Sequence, residues 1–106
     1  MKVFGHPFET PFGDAVVMLA TYLRADGPMA VFLVDSEAGD RIGVLSVNLP
    51  ESAELAEGEF CAKTWSENEP LVRPALASGL FEDTGRRVHA GFVEAQVWRL
   101  VGEVLA

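Results

Sequence analysis

Two apolar, strand-length runs, 15–24 (AVVMLATYLR) and 29–34 (MAVFLV), flank Ala25-Asp26-Gly27-Pro28, and this arrangement constrains the fold more than any other feature. β-Branched and aromatic side chains suit a pleated surface, and Asp-Gly-Pro is turn chemistry. The segment therefore predicts a β-hairpin. The longest apolar stretch, 15–23, is interrupted by Thr21 and falls well short of the ~20 residues a membrane span needs.

The flanking sequence extends the strand-rich reading. Residues 1–4 predict a short first strand, ended by the breakers Gly5, Pro7, Pro11 and Gly13. After the turn SEAGD, residues 41–49 alternate with period two until Pro50 stops them. An acidic connection with Glu51, Glu54 and Glu57 leads to a strand over 59–65. Ser66-Glu67-Asn68-Glu69 has the S-x-x-E spacing of a capping box. A helix over about 67–79 is predicted from it, with Pro74 kinking or shortening that helix and Gly79 ending it. Asp83-Thr84-Gly85-Arg86 reads as a turn, and 88–101 as a long final strand or pair of strands. The expected fold is α+β, an antiparallel sheet of about five to six strands with one main helix on one face.

A chain of 106 residues, 49% hydrophobic and 23% charged, is expected to form one globular domain over 1–106. Cys61 stands alone, which excludes an internal disulfide and fits a reducing compartment. The N-terminal residues lack the apolar core of a secretory signal. A cytoplasmic protein is the expectation.

The charge is uneven. Residues 1–69 hold twelve acidic side chains against four basic ones (Lys2, Arg24, Arg41 and Lys63), whereas 70–106 hold four of each, which reproduces the net charge of −8. With no basic patch to displace counterions, direct binding to a nucleic-acid backbone is not expected. The acids serve solubility, or they complement a basic surface on a protein partner.

No spacing of chemical residues specifies a reaction. His6, His89 and Cys61 are far apart in sequence and form no zinc motif, so no metal or cofactor is expected. Cys61 has no histidine near it in sequence and reads as a small buried hydrophobe. Phosphate cradles and nucleophile elbows are missing from the sequence. Trp65, Phe92 and Trp98 are weighed as aromatic anchors for a partner, with Trp65 and Trp98 the candidates carried forward, although packing under the helix or a neighbouring strand is the commoner fate of such residues.

The segments LSVNLP, KTWSENE and GFVEAQVWRL, in this order, resemble a family of small bacterial proteins of unknown function carried on plasmids, phages and other mobile elements. The resemblance covers roughly residues 30–100, and Pro70 and Pro74 within the helix depart from it. It brings no catalytic residues. It implies a setting in which small acidic proteins often block host defence nucleases, and hence an anti-CRISPR or antirestriction role.

The expectation is a non-enzymatic acidic protein that inhibits a nucleic-acid-handling defence complex, acting as a monomer or homodimer without touching nucleic acid or membrane. Glu51, Glu54, Glu57 and Glu59 would supply the negative face, with Trp65 or Trp98 as anchor. Two alternatives stand beside it: a small-ligand or catalytic domain using pocket carboxylates, and a self-association module using an edge strand or the Trp98 face.

Overall fold

The computed structural model describes residues 2–21, 29–47, 55–90, 92–102 and 104–105. The elements are β1 (Lys2–Thr10), β2 (Gly13–Thr21), β3 (Met29–Asp35), β4 (Arg41–Val44), β5 (Glu59–Ala62), a 3-10 turn (Ser66–Asn68), α1 (Glu69–Ala77), β6 (Phe81–Ala90), β7 (Val93–Leu100) and β8 (Val104–Leu105). The protein is α+β, and every pairing between named strands is antiparallel.

The expected single sheet is instead two. The first has the order β4-β3-β2-β1 with the two-residue β8 at its edge, and the second has the order β5-β7-β6. The cause lies at residues 45–47, where the chain exchanges one partner strand for another. The Leu45 amide donates to the Val31 carbonyl at 2.8 Å, while the Leu45 carbonyl accepts from the Lys63 amide at 2.7 Å. Val47 N–H reaches the Cys61 carbonyl at 2.9 Å, and Ser46 bridges Ala62. Buried Ser46 completes the corner by accepting the Val31 amide on its Oγ at 2.9 Å. At a second corner, β7 runs on through Val101 and Gly102 into β8, which pairs with Val3 and Phe4 of β1.

Several boundaries differ from those read in the sequence. β1 does not stop at Phe4 but continues to Thr10, because a register shift between Phe4 and Phe8 absorbs Gly5 and Pro7. Asp83–Arg86 is not a turn: it lies inside β6, where a second shift between Asp83 and Arg87 surrounds Gly85 at φ +86°. The final pair of strands is β6 and β7. α1 is nine residues long and ends three residues after Pro74, whose missing amide removes a bond from its last turns.

The core lies between the two sheets and under α1. Phe4, Phe8, Val17 and Leu33 of the first sheet meet Phe60, Phe81 and Trp98 of the second, and Leu71 and Ala75 of the helix close the space. Phe60 and Trp98 meet edge-to-face with ring centroids 6.1 Å apart, and Phe81 lies 5.8 Å from Trp98. No helix among the described residues is long and apolar enough to cross a membrane.

Candidate functional site, an acidic sheet end

The turns β1–β2 and β3–β4 emerge side by side at one end of the first sheet. Glu9 stands directly across from Asp14, and Ala15 across from Asp35. The Asp14 carbonyl accepts the Ser36 amide at 2.9 Å, which ties the two turns together. Segments 9–14 and 35–41 thereby gather Glu9, Asp14, Asp35, Glu37 and Asp40 against a single basic residue, Arg41. All of these acids but Asp35 are well exposed.

Asp35 serves the turn itself. Its Oδ1 accepts the amides of Glu37 at 2.9 Å and Ala38 at 2.8 Å, an Asx turn that fixes the chain reversal. The Ala38 amide, followed by that of Glu37, holds the Asp35 carboxyl below the usual carboxylate range. The other four acids are free to meet a partner.

Phe12 lies at the tip of the β1–β2 turn and is 56% exposed. The Thr10 hydroxyl holds this turn, donating to the Gly13 carbonyl at 2.7 Å and accepting the Phe12 amide at 3.1 Å. An exposed aromatic on a hydrogen-bonded turn with carboxylates on the same and the neighbouring turn is the pattern of an interface anchor and its charged rim.

The residues singled out in the sequence have different fates. Glu51 and Glu54 lie outside the described residues. Glu57 is exposed. Glu59 is largely covered: its Oε1 accepts the Ala56 amide at 2.8 Å and Arg86 Nη1 at 2.7 Å, and those contacts keep its carboxyl low, the Ala56 amide first. Trp65 is half-buried beside the 3-10 turn. Trp98 is corrected as a surface anchor, being 1% exposed with its indole N–H donated to Gln96 Oε1 at 2.9 Å. Among the described residues no group of three or more His, Cys, Asp or Glu could hold a metal ion.

The capping box is also corrected. Ser66 has φ +60° and makes no cap bond to the helix; its hydroxyl instead interacts with the Glu67 carboxylate. Glu67 meets Lys63 Nζ at 2.5 Å. Lys63, then the Glu67 amide, then Ser66 draw the Glu67 carboxyl down to about 2.

Beside the acidic end, an open groove of about 560 Å³ runs along β4, past Ser46 and Lys63 to Glu67 and Asn68. Its buried polar groups already serve the fold: Ser46 accepts Val31, and Asn68 Nδ2 donates to the carbonyls of Val44 and Lys63.

No protein-family model matches the chain, and no curated protein or solved structure is significantly similar to it.

Proposed function

We propose that this is a non-catalytic binding protein whose acidic sheet end engages a basic surface on a protein partner, inhibiting a nucleic-acid-handling defence complex. The observation that carries the reading is that Glu9, Asp14, Glu37 and Asp40 share two tied turns with exposed Phe12. Clustered carboxylates compete with phosphates for lysines and arginines and speed encounter with basic surfaces. Phe12 supplies the apolar contact that charge alone lacks. The mobile-element resemblance supplies the setting, in which such a basic surface belongs to a DNA- or RNA-handling machine.

The test is affinity capture from bacterial lysate on three proteins side by side: the native chain, a variant with Glu9→Gln, Asp14→Asn, Glu37→Gln and Asp40→Asn, and Phe12→Ser. Asp35 is left intact because its carboxylate holds the turn. A nucleic-acid-binding protein retained by the native chain and lost from both variants supports the reading, with retention falling as salt rises. Equal retention on all three sinks it, as does a retained set without nucleic-acid-binding proteins.

A further inference from the structure

The first sheet has a second apolar face. Alternation along the strands sends Phe4, Val17 and Leu33 into the core, so their neighbours point the other way. The register Val3↔Met18, Met18↔Phe32 and Phe32↔Val44 lines four of these neighbours in one row across all four strands. Val16 and Val34 form the next row, also paired. All six side chains are half-buried, and α1 and the second sheet both pack against the opposite face. An antiparallel sheet with one solvent face ordinarily alternates apolar with polar residues. These strands do not.

We infer that this face is a dimer interface, covered by a second copy of the same chain stacked sheet on sheet with the two-fold axis along the strands. That axis keeps both acidic ends together and reverses strand order, setting β1 over β4 and β2 over β3 of the second copy. The central row then reads against its own reverse. Met18 faces Phe32, a favourable sulfur–aromatic contact, and Val3 faces Val44.

One pair of charges, Arg41 with Glu9, fits the same occupant and offsets part of the repulsion between the two acidic ends. Arg41 enters the face at the edge strand, across from Val34, with its guanidinium 4.7 Å from the Phe32 ring centre. Glu9 lies on the opposite edge at the same strand end, paired with Asp14. The two-fold brings each Arg41 within side-chain reach of Glu9 of the second copy, twice per dimer. A basic partner laid on this face would satisfy Glu9 but repel Arg41; a second copy satisfies both. Four strands at ~4.8 Å spacing and about seven residues in length present on the order of 400 Å² per copy, so the dimer is weak, dissociating in the tens to hundreds of micromolar. This inference does not depend on the acidic end having a partner.

Sedimentation equilibrium from about 10 µM to about 1 mM, at about 0.15 M salt to screen the −8 charge of each copy, tests it. The native chain should show reversible monomer–dimer exchange. Arg41→Glu and Glu9→Arg, both at exposed positions, should each weaken it about tenfold, and the two changes together should restore it. Phe32→Lys should abolish it, with Met18→Lys used if circular dichroism shows that Phe32→Lys unfolds. A native chain that stays monomeric throughout overturns the inference. So does a dimer that survives the lysine variant, or a double charge swap that fails to recover association.

Discussion

The Asn68 side-chain amide donates to the Val44 carbonyl at 2.7 Å, joining the start of the helix to the edge strand of the first sheet across 24 residues of sequence. The same Nδ2 donates to Lys63 O at 2.9 Å, and Asn68 is 1% exposed. This residue, and not the Ser66 hydroxyl, sets how the helix leaves the sheets. Asn68→Ala should cost about 1–3 kcal/mol, since two partly buried carbonyls lose their donor. Ser66→Ala should cost less than about 0.5 kcal/mol, as no cap is lost. Urea denaturation of both variants checks the contrast, and an equal loss would return the helix start to Ser66.

Gly5 and Leu80 make a second test. Gly5 sits at φ +69°, and a Cβ there would stand 2.4 Å from Leu80 Cδ2, which is held in the core at 5% exposure. Gly5→Ala should therefore cost more than about 2 kcal/mol, combining left-handed strain with overpacking. Gly39, at φ +74° with open space around it, isolates the strain alone. Gly39→Ala should cost about 1 kcal/mol. Thermal melts of the two proteins measure the difference, which is the part due to Leu80.

The turn read at 25–28 lies outside the described residues, but the pairing of β2 with β3 was legible because strand composition is local. The second sheet was not, because it depends on Leu45 exchanging Val31 for Lys63 as hydrogen-bond partner, a tertiary event. Pro7 reads as a breaker in sequence. Among the described residues β8 pairs with Val3 and Phe4, short of Pro7, so the pairing seen on that edge requires no Pro7 amide. Charge was legible as a total but not as a place, since Asp14 meets Ser36 only through the strand register. Alternation gives faces without saying which is inside, and so Trp98 read as a candidate anchor whereas Phe12, at a turn tip, was not singled out. The uninterrupted apolar runs of β2 and β3 do carry a signal of the second apolar face, since they are those of strands covered on both sides.

The Lys63–Glu67 pair predicts a pH response. Glu67 titrates at about 2 in the folded protein, drawn down first by Lys63, whereas an unfolded glutamate titrates near ~4.3. A lowered folded value means the contribution is complete above the unfolded value and is lost as pH falls toward about 2. Asp35 follows the same sign through the amides of Ala38 and Glu37. Carboxyl NMR titration should place Glu67 well below other exposed glutamates, and Lys63→Ala should move it upward. A Glu67 value unmoved by Lys63→Ala would assign the effect to the turn amide and Ser66.

Trp98 and Phe12 should separate stability from binding. Trp98 packs against Phe60 and Phe81 at 1% exposure, so Trp98→Ala should cost about 3–5 kcal/mol by leaving a cavity beside those two rings. Phe12 is 56% exposed at a turn held by Thr10, so Phe12→Ser should change stability by no more than about 0.5 kcal/mol. If the acidic end is the docking surface, Phe12→Ser should nonetheless weaken partner binding by about tenfold or more, the scale of an anchor residue. The pair is informative because the two aromatics differ in the property that sequence could not assign, burial. Chemical denaturation and partner titration on the same two proteins measure it, and a Phe12→Ser protein that binds like the native chain would move the docking surface away from these turns.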